Sequence, residues 1–416
     1  MLGTLYARVI DGHSQAVRRR LPQVSAERGD VADDSTRDEL IELVRRFCRN
    51  EIIPNAGPYD LDDTYPEAIV EQMKAMGLFG ITVPVDFGGL GLDLETYAMV
   101  VEELAYGWMS VSGFLNTHFM ACYLIKTFGT DEQKQHLLPK LASGEVRAAY
   151  SLSEPDAGSD VQAIRTKARR DGDEYVIDGT KMWLTNGLHA GLVVALVKTA
   201  DTDPPYRGMS VMLVEKEAGA MSDRGITISR KIGKLGYRGI ETVELVFDDH
   251  RVPEMALLGG DEGKGFHQMM SAVELGRVNI AARAVGVAQR AFDESLDYAQ
   301  QRETFGKPIA AHQAIAFKLA DMSTKIRAAR LLTYDVAQRK DRGERCDLEA
   351  GQAKLFASEA CWEITQEALR IHGGNGYANE YPIERLYRDA PLMIVGEGTS
   401  EIQKMVIARR LLEGES

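Results

Sequence analysis

Ala149-Tyr150-Ser151-Leu152-Ser153-Glu154-Pro155-Asp156-Ala157-Gly158-Ser159-Asp160 divides the chain. Before it, the periodic stretches are helical; after it, apolar residues fall into short runs. Ala149 to Ser153 reads as a strand, and Pro155 and Gly158 then turn the backbone. Working back, Ser35-Thr36-Arg37-Asp38 has the form of a capping box, and Leu40, Ile41, Val44 and Phe47 keep one face apolar up to Pro54. A short helix is expected over residues 68–76, a breaker-rich loop over 83–91, and helices over 94–106, 111–128 and 131–141. Working forward, residues 165–177 read as a hairpin turning at Asp171-Gly172-Asp173. Residues 191–199 and 209–214 read as buried strands, and residues 225–228 and 241–247 as two more.

Past Gly265 the period is helical again. Residues 266–302 form one long stretch, broken at Gly306-Lys307-Pro308. Further helices are expected over 311–340 and 347–371, the last ended by Gly373-Gly374-Asn375-Gly376. A short helix from Ile383, a turn around Glu397 and a final helix complete the chain. The expected architecture is α+β: a flexible N-terminal extension (1–33), an N-terminal helical domain (34–147), a middle β barrel or sandwich (148–258), and a C-terminal four-helix bundle (259–416).

The 416 residues allow two or three domains, and 44% hydrophobic with 27% charged residues is ordinary for a globular chain. The net charge of −13 argues against nucleic acid or an anionic membrane as a general partner. Cys48, Cys122, Cys346 and Cys361 have no paired spacing, so neither a disulfide framework nor a metal site is expected, and a reducing compartment fits. No run is apolar enough to span a membrane, and the basic N-terminus lacks a secretory core. The cytoplasm is the expected location, with the mitochondrial matrix the alternative.

Four constellations carry chemistry. Tyr150 to Asp160 ends a strand in hydroxyls and turns, a place to offer donors to a polar heterocycle; alone it is a surface turn. Lys181-Met182-Trp183-Leu184-Thr185 puts an indole and a hydroxyl two apart, where a flat ring can be covered, although a lone Trp is more often core. Arg302-Glu303-Thr304-Phe305-Gly306, with His312-Gln313, offers a pyrophosphate grip or a simple helix end. Glu397 stands between Gly396 and Gly398, after the apolar run 390–395 and before a helix start at Ser400, where Gln403 fits a capping box. A carboxylate there can have its pKa raised by burial and stay reachable, although a lone turn Glu is usually solvated.

Together these motifs resemble the acyl-CoA dehydrogenase family over roughly residues 35–412. Matches lie at Ala149 to Asp160, Met182 to Gly187, Arg302 to Gly306, Gln352 to Ile371 with Gly373 to Gly376, and Glu397 to Ser400. The resemblance implies FAD, an acyl-CoA substrate, an electron-transfer flavoprotein as partner, and a homotetramer built from dimers. It implies that Tyr150, Leu152, Ser153, Trp183 and Thr185 hold the isoalloxazine ring, and that Thr399 and Glu401 touch the flavin. Arg302, Thr304, Phe305, His312 and Gln313, with Arg370, Gly373 and Gly374, would meet the ADP half of a neighbouring subunit's FAD. Ser159 and Glu274 to Arg277 would grip CoA, and Gly396 and Gly398 would border the substrate. Glu397 would take the α proton while the β hydrogen leaves to the flavin. Its own N–H and a flavin ribityl hydroxyl would stabilise the thioester oxygen.

Some members carry the base at the position of Gly276, which closes that alternative here. Arg277 would lie near the base and restrain its pKa. Gly396 replaces a frequent aromatic and is expected to widen the pocket for a branched acyl group. Ser153 replaces a more frequent threonine. The competing readings are an acyl-CoA oxidase, usually a longer chain, a related flavin hydroxylase without the Glu base, and a non-catalytic CoA-binding scaffold, which would be colourless.

Overall fold

The computed structural model describes residues 34–413, so the extension expected at residues 1–33 and the last three residues of the C-terminal domain lie outside the described residues. Helix α1 (Asp34–Phe47) runs through a π-helical turn at Cys48–Ile52 into α2 (Ile53–Leu61). Ser35 is therefore a helical residue and not the cap, and its side chain lies outside the described residues. Helices α3 (Glu67–Ala75), α4 (Leu94–Gly107), α5 (Met109–Phe128) and α6 (Asp131–Ala142) follow. A capping box that the sequence reading passed over starts α6: Thr130 Oγ1 accepts from Gln133 N, and Gln133 Oε1 from Thr130 N. The Gln133 amide also donates to the Met255 and Leu257 carbonyls at 2.8 and 2.7 Å, which ties this domain to the end of the sheet.

The middle region is one eight-stranded sheet: β1 (Ala148–Ser151), β2 (Lys167–Asp171), β3 (Glu174–Thr185), β4 (Leu192–Lys198), β5 (Met209–Glu215), β6 (Ser222–Asp223), β7 (Ile226–Lys231) and β8 (Thr242–Pro253). β5 runs antiparallel along one edge of β4, while β1 and β2 share its other edge, both parallel to it. From β2 the order continues through β3, β8, β7 and β6. Val193, Ala195 and Val197 face the sheet's own core with Ile177, Leu245 and Phe247. Leu192, Val194 and Leu196 face the helices and join their core. This two-sided burial is why residues 191–199 read as an unbroken apolar run instead of an alternating one.

The C-terminal region is α7 (Gly265–Gln301), a small hairpin β9 (Glu303–Thr304) and β10 (Lys307–Pro308), then α8 (Gln313–Asp341), α9 (Asp347–His372), α10 (Ile383–Asp389), α11 (Pro391–Val395) and α12 (Ser400–Glu413). α9 packs on α7, α8 and α12, which makes the bundle, and α7 also packs on α4 and α5. Close crossing needs small residues: a Cβ on Gly286 of α7 would come within 2.9 Å of Tyr106 N and 3.0 Å of the Ala105 side chain on α4. α7 is the axle of the molecule. Its first turns meet the sheet, where Tyr150 Oη donates to the Met269 carbonyl at 2.9 Å. No helix among the described residues is long and apolar enough to cross a membrane.

Candidate active site

The loop between α11 and α12 holds Glu397 in the left-handed region at φ 51°, followed by Gly398 at φ 85°. Such a backbone is strained by about 1–3 kcal/mol for a residue with a side chain, so the surroundings must hold it. Lys354 of α9, fully buried, donates to the Gly398 carbonyl at 2.8 Å and the Ile394 carbonyl at 3.3 Å, on either side of Glu397. The buried Gln403 donates to the Gly398 and Glu397 carbonyls at 3.0 and 3.3 Å. The cap of α12 is one residue earlier than the sequence pattern indicates: Thr399 Oγ1 accepts from Ile402 N. Ser400 instead donates to Glu359 at 2.6 Å, and this shift frees the Gln403 amide for the loop.

The carboxylate that this loop presents is enclosed. Asn116 Nδ2 of α5 donates to Glu397 Oε1, while Oε2 is buried without a partner. Oε2 lies against Gly276 of α7, where any Cβ would collide with it and would stand 3.3 Å from Met120 Sδ. Burial pushes the Glu397 carboxyl above its ordinary value; Arg283, the Asn116 hydrogen bond, Lys354 and Arg277 pull it back, in that order. Burial also lowers the Lys354 ammonium to about 8, with Glu397 the leading opposing charge. Arg277 is held below its ordinary value by burial, and its Nε is buried without an acceptor.

Tyr150, Leu152 and Ser153 are half-buried at the end of β1. The fully buried Lys181 pairs with Glu154 at 2.9 Å, and Met182 N donates to the Ser153 carbonyl at 2.9 Å, which fastens that end to β3. Lys181 and the bonds from Arg165 N and Thr166 N hold Glu154 below its ordinary pKa against burial. The lone-Trp expectation of a core position fails here: Trp183 is 56% exposed, at φ 65° on a bulge of β3, with Thr185 half-buried beyond it.

Other expected residues lie elsewhere. Arg302, Thr304 and Phe305 stand at the far end of α7, about 37 Å along the helix from Gly276. His312 Nε2 lies 3.2 Å from Thr304 Oγ1, Gln313 opens α8, and Phe305 is 95% exposed at φ 52°. Arg370, Gly373 and Gly374 share that end, since Asn375 donates to Tyr298 of α7 at 3.0 Å. Glu274 is ion-paired to Lys340 of α8, and Ser159 and Glu401 are exposed. A surface cavity of about 300 Å³ between α6, β5 and β8 is lined by His136, Glu215 and His250 and lies apart from both groups.

Sequence reasoning missed Asn116, Tyr97, Tyr237, Arg283 and Lys354. A signal existed for the cation of α7: Arg283 interrupts Ile280-Ala281-Ala282 and Ala284-Val285, seven residues after Gly276 and on the same face. Tyr237 comes from a loop whose N–H is fixed by Asp389, and only the tertiary fold brings it near.

Family profiles match this chain in three consecutive pieces: the acyl-CoA dehydrogenase N-terminal domain over residues 34–145, the middle domain over 149–250 and the C-terminal domain over 263–412. The chain belongs to the acyl-CoA dehydrogenase family. It is 42% identical over 413 residues to (2S)-methylsuccinyl-CoA dehydrogenase of Cereibacter sphaeroides, spanning 97% of this chain and 75% of that protein. Butyryl-CoA dehydrogenase from Megasphaera elsdenii superposes with a TM-score of 0.88 at 34% identity, covering 94% of this chain and 100% of that one. A chain solved in work on the electron transferring flavoprotein of Acidaminococcus fermentans gives a TM-score of 0.88 and 34% identity, covering 93% and 100%. As an acyl-CoA dehydrogenase the protein is an oxidoreductase of acyl-CoA and an FAD flavoprotein. The residues present fit FAD: the uncovered indole of Trp183 is a flat apolar face beside the half-buried hydroxyls of Ser153 and Thr185.

Proposed function

We propose that this enzyme removes the α and β hydrogens of an acyl-CoA thioester to give a trans-2-enoyl-CoA, with Glu397 as the base for the α proton. The observation that carries this reading is the Glu397 carboxylate itself: enclosed, with Oε2 unpartnered and its loop fixed by Lys354 and Gln403. An α C–H beside a thioester is weakly acidic, so its base works best with a pKa raised toward neutrality, and burial raises Glu397. The Asn116 amide holds Oε1, which leaves Oε2 to receive the proton. The Glu397 main-chain N–H is assigned to the thioester oxygen, where it stabilises charge that develops as the proton leaves. FAD, when bound at Trp183, Thr185 and Tyr150 to Ser153, supplies the acceptor for the hydride from the β carbon. Thr399 and Glu401 border that cofactor, and Ser159, Glu274, Arg277 and Gly398 border the CoA thioester.

The Arg302 to Gln313 and Arg370 to Gly374 group is assigned to the ADP half of a second subunit's FAD. Its distance from Glu397 and the exposure of Phe305 and Tyr377 (83%) support a homotetramer built from such pairs. An electron-transfer flavoprotein is the assigned electron acceptor, in line with the structural likeness to the A. fermentans chain. Four buried free cysteines agree with a reducing, cytoplasmic setting.

Gly396 is assigned a part in acyl choice. A Cβ there would stand 3.0 Å from the Leu392 carbonyl, so a large residue must lean away from α11. Gly396→Tyr should narrow the preference toward straight chains over branched ones of equal length. Anaerobic mixing with a panel of acyl-CoAs tests the whole reading: the flavin should bleach and trans-2-enoyl-CoA should appear by mass spectrometry. Bleaching by no thioester would overturn it.

A further inference from the structure

The loop of residues 232–241, between β7 and β8, leaves the sheet and is fixed to other parts of the molecule. At the C-terminal end of α10, Asp389 Oδ1 accepts from Tyr237 N at 2.6 Å. Just past α2, Asp63 Oδ1 accepts from Gly239 N at 2.8 Å. A Cβ on Gly236 would stand 2.3 Å from the Arg388 carbonyl, and one on Gly239 2.3 Å from the Trp108 ring, so the loop is tightly seated. Tyr237 itself is 5% exposed and lies in the left-handed region at φ 57°. A tyrosine is strained there, and such strain persists only where the surroundings impose it, commonly beside a functional group. Asp389 is fully buried. Burial, then the charge of Asp60, pushes its carboxyl up to about 7, and the bond from Tyr237 N leads the groups that pull it back. A costly buried carboxyl is thus committed to holding one tyrosine.

The ring carries this anchoring to the base. Its hydroxyl sits on Gly113 of α5, where any Cβ would collide with it, one turn before Asn116. The same hydroxyl accepts from the Arg283 guanidinium, whose central carbon lies 5.3 Å from the ring centre. Arg283 Nη2 donates to Asn279 Oδ1 at 2.8 Å, and Asn279 Nδ2 donates to Tyr97 Oη at 2.8 Å. Tyr237 and Asn279 are neutral, so they orient the guanidinium without cancelling its charge. That charge acts on Glu397, and it leads the groups that favour the ionised carboxylate, ahead of the Asn116 amide, Lys354 of α9 and Arg277 of α7. Burial keeps the phenols of Tyr97, Tyr150 and Tyr237, which also feel Glu397, neutral. The pull of a cation on a carboxylate falls with distance, so the place of the guanidinium matters.

We propose that Tyr237 is a positioning residue of the reaction: seated on Gly113, its hydroxyl fixes the Arg283 guanidinium beside the Glu397 carboxylate. This rests on the reading of Glu397 as the base. The α proton still goes to Glu397, and Tyr237 acts only through Arg283. With the hydroxyl gone, the guanidinium is free to draw back, and Glu397 keeps its proton to a higher pH.

The test uses Tyr237→Phe, which keeps the ring and removes the hydroxyl. Infrared pH titration of the FAD-loaded protein, without any acyl-CoA, follows the protonated Glu397 carboxyl as the band lost in Glu397→Gln. Its midpoint should rise by about half a pH unit in Tyr237→Phe and by about one in Arg283→Gln. The double variant should match Arg283→Gln alone, because the hydroxyl works through the guanidinium. The acid limb of kcat/KM for butyryl-CoA should move with the band, so Tyr237→Phe loses about threefold on the acid side and recovers at the plateau. A band that stays in place or moves down in Tyr237→Phe would overturn the proposal, as would shifts that add in the double variant; either leaves dehydrogenation intact. Bleaching by no acyl-CoA would remove the dehydrogenation reading, and with it the role of Tyr237 in the reaction, whatever the band does.

Discussion

The two ends of α7 are built differently. At Gly276 the helix runs through an enclosed charged pocket: Glu397, Asn116, Lys354 and Arg283 converge from four elements and hold one another in place. At Arg302 the chain instead displays an open hairpin, with Phe305 almost wholly exposed and Gly306 at φ 75°. Burying charge is expensive and exposing a large aromatic ring to water is unfavourable, so each end needs an explanation outside local stability. The first is complete within one chain and suits proton chemistry. The second leaves Phe305 open to water beyond an edge contact with the His312 ring, and suits contact with another subunit. Variants of the first should change turnover and spare assembly, and variants of the second should do the reverse.

The largest effect is expected at Gly276. Gly276→Ala places a methyl where Glu397 Oε2 lies, and misplacing a reacting group by about 1 Å lowers rates by about 100-fold. Steady-state kcat should fall by that order with the sedimentation profile unchanged; an unchanged kcat would show that Oε2 is not where the proton is received. Next comes Lys354→Met, which strips the Gly398 and Ile394 carbonyls of their buried donor. It should lower stability by about 2 kcal/mol in urea unfolding and kcat by about tenfold. At the open end, Phe305→Ser should weaken assembly and make FAD loss depend on dilution, read by gel filtration and flavin fluorescence, with kcat of the FAD-loaded protein altered by less than about threefold.

The smallest effect is a shift in a pH profile. On the proposed reading ionised Glu397 is the active form, so kcat/KM should rise with pH through a limb above the ordinary carboxylate range. Asn116 stabilises the ionised form, so Asn116→Ala should move that limb to higher pH. For stability the sign is opposite: a carboxyl whose folded pKa is raised destabilises the fold as pH climbs past its unfolded value. A limb that stays put, or moves down, would remove Asn116 from the proton account.

Much of this was legible in the sequence where a local pattern carries the information. Helices and strands lay within one to a few residues of their expected bounds because 3.6 and 2 periods are local. The main exceptions were β3, β7 and β8, which run on past their expected ends at residues 177, 228 and 247, and the first helical stretch, which continues beyond Pro54 to Leu61. Glu397 was findable because glycines flank it and a helix start follows. Trp183 was harder: its exposure comes from a bulge opposite Val243 to Leu245, which no spacing within residues 181–185 reveals. The partners of Glu397 were silent for a different reason. Asn116 stands beside Thr117 and His118, and Lys354 is one of many polar residues on α9, so neither is singled out by its helix, and Tyr237 and Tyr97 read as core aromatics. Their role is set by where four elements cross. Arg283 was the exception, a charge in an alanine-rich turn that called for a question.

The most direct test of the central claim is anaerobic flavin bleaching by an acyl-CoA that the parent oxidises, repeated with Glu397→Gln. The amide keeps the shape and the Asn116 neighbour but cannot take a proton. The account predicts that bleaching slows by about 10³-fold while FAD and thioester still bind. A Glu397→Gln enzyme that bleaches as fast as the parent would contradict it.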